Sequence, residues 1–482
     1  MVKSMSGIKE LVKEETAQQS ENTPLPQKEK RQNRIAHDSS LDYLYQSKFI
    51  DATEAVGKIK NGDSILYFGA AAEPEVFLEH LHLIKNKSVH DVNLMTFLPA
   101  RTYDFFNNPD YKGILNLESM FFSKFCRDIQ RNQLISYAPC HLRNSGSDWF
   151  YYHEQKNKPI GIYCIAASPM DKHGYLNTST TAMFNRAMVK KADMVIVEIN
   201  ESLPRTFGDS YIHISEVDYI IQGKNEILCL PKREIIDVDK RIGQYIAELI
   251  EDGSTIQLGI GSITNAVAAE LRCKRNLGVH TEMLNDALVD LYKVGAIDNT
   301  RKTVFPNKMV TTFTYGSKET YDFIDDNIGV LHLDVETVND PYVIAKNKKM
   351  VSINTTLQVD LMGQCASEAI GTLQLSGAGG QVDTAMGAKM SEDGKSIVAL
   401  HSTAMVKNKD GNRIRRSTIV PIHPGGTVVT LSRADVDYVV TEYGVAALRG
   451  ASLRERAKSL IRIAHPDFRD ELVEEAERYS LV

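Results

Sequence analysis

The chain has 482 residues, 43% of them apolar and 24% charged, with a net charge of −6. That length exceeds one compact core and predicts two or three domains. The mild acidity gives no electrostatic case for nucleic acid or an anionic membrane, and no apolar run has the length of a membrane span.

Residues 1–40 are rich in Lys, Glu, Gln and Asn. They read as a mobile polar arm in which Lys9 to Lys13 could wind a helical turn. The mixed charge and the lack of an apolar segment argue against a transit or signal peptide. The cysteines Cys126, Cys140, Cys164, Cys229, Cys273 and Cys365 are scattered, without Cys-x-x-Cys pairs. That pattern predicts buried thiols in a reducing, cytoplasmic setting, with no metal ligands.

Beyond the arm, strand-like runs (Ser64 to Phe68, Gly161 to Ala167, Met194 to Ile199, Thr255 to Leu258) alternate with helical patterns. Alternation of this kind predicts an α/β fold around mostly parallel sheet. Ile59-Lys60-Asn61-Gly62-Asp63-Ser64-Ile65 resembles Ile250-Glu251-Asp252-Gly253-Ser254-Thr255-Ile256. A fainter echo links Ala192 to Glu198 with Asp437 to Glu442. Two related, open α/β domains are expected, over 41–225 and 226–482, with a ligand site between them at the carboxyl ends of strands.

Arg205 in Pro204 to Asp209 could bind an anion or pair with Asp209, and His213 between two isoleucines reads as structural. Gln257-Leu258-Gly259-Ile260-Gly261-Ser262 ends a strand and leads into a helical run from Asn265 to Leu271. Small residues there let backbone N–H groups approach a phosphate, although Thr264 breaks a full dinucleotide pattern. Next comes Val279-His280-Thr281-Glu282-Met283, then Leu284, Leu288 and Leu291 at helical spacing. Glu282 is expected at a strand-to-helix junction, where a helix dipole favours an anion. Such a carboxylate can be an anion contact, a general base or a nucleophile.

Asn354 closes an apolar run. Ser376-Gly377-Ala378-Gly379-Gly380-Gln381-Val382-Asp383 places three glycines in four positions. A loop of that composition can present backbone donors to an oxyanion. Glu442 to Ala446 reads as a helix start.

Taken together, these motifs resemble the acetyl-CoA hydrolase/transferase family, in its acyl-CoA:carboxylate CoA-transferases, from about Tyr43 onward. Ser168 to Gly174, Pro204 to Ser215, Thr441 to Gly450 and Ile463 to Arg469 also carry the likeness. The His-Thr-Glu-Met wording resembles the butyrate and 4-hydroxybutyrate branch. The resemblance implies that Glu282 is a nucleophile that carries CoA as a glutamyl thioester. It also implies CoA or acyl contacts from Gln257, Leu258, Gly259, Ile260, Gly261, Ser262, Gly377, Gly379 and Gly380. Asn354 is the first candidate substrate contact, Asn339 the second, and Lys395 a candidate CoA contact. CoA enters as substrate and covalent intermediate, with no tightly bound cofactor; small carboxylates are the other partners, and a homodimer or larger assembly is expected. Thr264, Thr384 and Met386 stand where the family usually has Pro, Phe and Arg, which leaves the acyl preference open. A hydrolase using the same site, an NAD-dependent oxidoreductase and an idle CoA-binding protein remain as alternatives.

Overall fold

The computed structural model describes residues 41–482 apart from 131, 132, 232, 233 and 409, so the polar arm of residues 1–40 lies outside the described residues. The first half builds strands β1 (Ser64–Phe68), β2 (Val92–Phe97), β3 (Leu115–Ser119), β4 (Ile135–Tyr137), β5 (Ile162–Ala167), β6 (Met194–Ile199) and β7 (Tyr219–Gln222). They lie side by side as β7-β6-β5-β1-β2-β3-β4, all parallel. Every residue of β1, β2 and β5 is buried, which is why these strands read as continuous apolar runs and do not alternate.

The second half supplies β8 (Thr255–Leu258), β9 (Gly278–Val279), β10 (Met350–Thr355), β11 (Lys395–Ala399), β12 (Tyr438–Thr441) and β13 (Gly444–Ala447). Their order is β9-β8-β10-β11-β12-β13. Only the last pair is antiparallel. Glu442 to Ala446 therefore turns a hairpin and does not start a helix. The turn is pinned by Glu442, whose carboxylate accepts from the Ser402 N–H at 2.9 Å and the Ser402 hydroxyl at 2.6 Å.

The halves repeat one winding. Each starts on a central strand (β1 or β8), adds strands on one side (β2, β3 and β4 in the first half, β9 alone in the second), then crosses back to build outward on the other. This pairs β5 with β10, β6 with β11 and β7 with β12. Helix α1 (Ala52–Gly57) precedes β1 and helix α2 (Asp237–Leu249) precedes β8, so the Ile59 and Ile250 segments are true counterparts. The fainter echo is not: it links β6 to β12, one strand out of step, and reflects only the shared chemistry of buried parallel strands.

The sheets share one core through side chains of one parity, together with helices of both halves. Leu66 and Phe68 of β1 join Ile256, Leu258, Ile353 and Ile397 in one continuous core, whereas Ile65 and Tyr67 pack on the far face. Phe313 inserts across this boundary, its ring centroid 5.4 Å from that of Phe68 and 6.4 Å from that of Phe97. The chain also stitches the halves with backbone: Phe207–Gly208 pairs with Val330–His332 in a small sheet. Arg205 pairs with Asp171 at 3.3 Å and not with Asp209, which accepts from the Asp334 N–H at 3.0 Å. No helix among the described residues is long and apolar enough to cross a membrane.

Candidate active site

Glu282 follows β9 and leads into a two-residue strand, Met283–Leu284; helix α4 (Asp286–Lys293), capped by Asn285, starts only after it. The carboxylate therefore owes nothing to its own helix. The helix whose amino end meets it is a different one, α5 (Gln381–Met390), and Gly380 at its N-cap donates its N–H to Glu282 Oε2 at 2.9 Å. An orphan donor at a helix start facing an anion is favourable. Three donors fix the backbone behind the carboxylate: the Thr311 hydroxyl and the Thr312 and Phe313 N–H groups all reach the Glu282 carbonyl within 3.2 Å. His280 Nε2 donates to the Val338 carbonyl at 2.8 Å, and burial lowers its pKa to about 3, so it stays neutral and structural.

The glycines are sterically required. A Cβ on Gly380 would stand 2.1 Å from Asn339 Nδ2 and 2.3 Å from Glu282 Oε2; one on Gly377 would stand 2.8 Å from the Met120 carbonyl. Gly379 adopts φ +53°, a region glycine enters freely. First-half groups hold this loop in place. Arg127 donates to Leu375 O at 2.7 Å, Gln130 to Gln374 O at 2.6 Å, and the Leu142 N–H to Gly379 O at 3.0 Å. The Tyr137 hydroxyl donates to Glu368 at 2.8 Å and accepts from the Ala378 N–H at 3.1 Å.

Asn339 is fully buried, and both polar atoms of its side chain lack a hydrogen bond of ordinary geometry. Its amide nonetheless lies between the carboxylates of Glu282 and Asp383, close enough to favour the charged form of each. Burial, and then the charge of Asp383, push the Glu282 carboxyl up to about 7, with Asn339 and the Gly380 N–H opposing.

Asn354 points elsewhere: its amide donates to Ser352 at 2.8 Å and to Thr384 at 3.1 Å. The threonine at 384 thus ties down the asparagine expected to face substrate. Gln257 and Leu258 are buried within β8; Gln257 Oε1 accepts from the Ser352 hydroxyl and the Ile353 N–H. Gly259 joins the Glu282 segment through its carbonyl, which accepts from Asn285 at 3.3 Å. Ile260 and Gly261 border a cleft of about 310 Å³, shared with Asn265, Met283 and Tyr315, while Ser262 donates to Asp239 at 3.2 Å. Lys395 opens β11 at the amino end of the sheet, where it pairs with Glu251 at 3.0 Å. The structure brings Glu282, Asn339, Gly379 and Gly380 together and leaves Lys395 at the other end of the strands. Asp383 lay in a quoted motif without a role, and Phe121, Tyr137 and Arg143 carried no signal, because only folding brings the first half to this loop.

This geometry is matched by relatives. The acetyl-CoA hydrolase/transferase N-terminal domain matches residues 27–230 and its C-terminal domain residues 316–476. A 4-hydroxybutyrate coenzyme A transferase of Clostridium kluyveri is 40% identical over 432 residues, covering 90% of this chain and 98% of that protein. The crystal structure of RipA from Yersinia pestis is 34% identical with a TM-score of 0.83, covering 92% of this chain and 100% of that one. A 4-hydroxybutyrate CoA-transferase from Porphyromonas gingivalis is 35% identical with a TM-score of 0.72, covering 91% and 99%. The chain belongs to the acetyl-CoA hydrolase/transferase family and is an acyl-CoA:carboxylate CoA-transferase.

Proposed function

We propose that this enzyme moves CoA between a short-chain acyl-CoA and a small carboxylate, such as acetate, butyrate or 4-hydroxybutyrate, through a glutamyl-CoA thioester on Glu282. The observation that carries this reading is the half-buried Glu282 carboxylate, bonded to the Gly380 N–H with the buried Asn339 amide beside it.

A carboxylate is a weak nucleophile, and this one has little water to shed before attack. Attack on the thioester carbonyl forms a mixed anhydride and expels CoA thiolate with the bonding electrons. The thiolate then attacks the glutamyl carbonyl, releases the acyl group as a carboxylate and leaves the thioester on Glu282. An incoming carboxylate reverses both steps. Each intermediate is an activated acyl group, so the thioester's free energy is retained. Gly380 N–H and Asn339 Nδ2 are the donors placed to stabilise charge on the reacting oxygens.

The Gly259 to Ser262 turn supplies the accompanying CoA contact in this reading, and the halves act as domains over 41–225 and 226–482. Cys126, Cys164 and Cys365 are buried as expected and Cys140 half-buried, but Cys229 and Cys273 are exposed; in this reading the setting is a reducing, cytoplasmic one. Assembly as a homodimer or larger oligomer is tested by light scattering. The functional test is thioester turnover with and without added carboxylate. Transfer predicts turnover that depends on acetate and yields acetyl-CoA; loss of butyryl-CoA independent of acetate would assign hydrolysis instead.

A further inference from the structure

Two carboxylates meet at the amino end of α5. Asp383, in the first turn of α5, is 2% exposed. It follows Gly380 by three residues in the same first turn, and the Gly380 N–H holds Glu282 Oε2 at 2.9 Å; the Asn339 amide favours the charged form of both carboxylates. Its partners come from the other half of the molecule. The Arg143 N–H donates to Oδ2 at 3.2 Å, and Arg143 Nε stands 3.5 Å from Oδ1. The adjacent Leu142 N–H holds the Gly379 carbonyl. Asp383 is therefore held by one hydrogen bond and one ion pair from Arg143.

Holding two buried anions together is unfavourable unless each is compensated. Arg143 offsets Asp383 in part, since its own side chain is about one-third exposed. Glu282 has no cationic hydrogen-bond or ion-pair partner among the described residues. The titratable groups that face the pair are few. His141 and Arg143 approach Asp383 from the turn after β4, as does Cys140, whose thiol burial and then the charges of Asp148 and Asp383 push up to about 12; His280 lies neutral behind Glu282; Glu368 is set back behind Tyr137.

We propose that Asp383 is a positioning residue whose charge opposes that of Glu282 in the resting enzyme and so favours the acylated, uncharged state of Glu282. The inference rests on Glu282 being the nucleophile. When Glu282 attacks, its negative charge passes to the departing CoA thiolate. When the thiolate returns, that charge leaves on the released carboxylate. The repulsion with Asp383 is present before the first step and absent in the anhydride and the thioester. It therefore raises the carboxylate's energy relative to both covalent states, and it also raises the pH at which Glu282 becomes an anion.

The test uses the full-length enzyme with butyryl-CoA and acetate. Two quantities are read: the acid limb of the kcat/KM pH profile, and the ratio of CoA-bearing to free enzyme at a fixed butyryl-CoA to butyrate ratio, by intact mass. Asp383→Asn keeps an acceptor for the Arg143 N–H. It should move the limb down by about one pH unit and lower the adduct ratio about tenfold, the two being one free-energy change. Arg143→Gln keeps the backbone donor but removes the cation, and should move both quantities the opposite way. If Asp383→Asn does not fold, the Arg143→Gln shift decides alone. A limb and adduct ratio that stay at their wild-type values in the folded variants overturn the inference. Wild-type enzyme that forms no adduct on Glu282 overturns the nucleophile assignment, and this inference with it.

Discussion

At the scale of single residues, Gly380 and Glu282 meet where no side chain larger than hydrogen fits. A methyl at position 380 would have to displace Asn339, Glu282 or the start of α5. Gly380→Ala should therefore lower kcat by roughly 100-fold or more, the usual loss when one oxyanion donor is removed. Steady-state kinetics on a folded variant checks it, and near-wild-type kcat would contradict the geometry. Glu282 itself was legible in the sequence, because a short motif names it. Its neighbour Asn339 was read only as the second candidate, behind Asn354. Asn354 and Asn339 are both asparagines near the ends of elements, and only the structure shows one bonded to Thr384 and the other buried beside Glu282. The raised carboxyl also affects stability. It titrates near about 4.3 in an unfolded chain but at about 7 here. The folded state thus binds this proton more tightly, a contribution fully present below the unfolded value and lost as pH rises through 7. Glu282→Gln removes that loss. The variant's melting temperature, relative to wild type, should be higher at pH 8.5 than at pH 5; equal offsets at the two pH values would show that burial of this carboxylate carries no cost.

Among the elements, the glycine loop depends on the far half of the chain for its shape. Tyr137 serves it twice, accepting from the Ala378 N–H and donating to Glu368. Tyr137→Phe removes both bonds, each worth about 1 kcal/mol net, and loosens the loop that carries Gly380. The expected outcome is a roughly tenfold loss of kcat with a change in melting temperature of only a few degrees, read by kinetics and thermal unfolding in parallel. An unchanged kcat would mean that the remaining contacts from Arg127, Gln130 and Leu142 hold the loop alone. The strands were legible almost to the residue, since buried parallel strands are written as unbroken apolar runs. The hairpin at Glu442 was misread as a helix start. A run of small residues after a strand fits either turn, and the deciding contact, Glu442 to Ser402, spans 40 residues. The Glu282 segment was misplaced for the same reason: the helix that faces it comes from α5, about a hundred residues later.

For the whole molecule, the repeated winding explains the placement of the site. Two sheets share one core, and the loops beyond β4 and β9 meet at the Glu282 site. One half provides Glu282, its amide neighbour and the glycine loop; the other provides the groups that hold that loop and Asp383 in place. The Ile59 and Ile250 segments announced this architecture, and the parity of buried residues along β1 explains the shared core. What no local pattern could announce is the contact between the halves, because Arg143 and Tyr137 meet their partners only after both sheets have formed. The account's central claim is that Glu282 becomes covalently attached to CoA. Peptide mapping by mass spectrometry after incubation with butyryl-CoA tests it most directly. A CoA adduct on the Glu282 peptide, discharged by acetate to give acetyl-CoA and missing in Glu282→Gln, is the predicted result. Sustained acetate-dependent transfer by the purified Glu282→Gln protein, or an adduct on another residue, would contradict it.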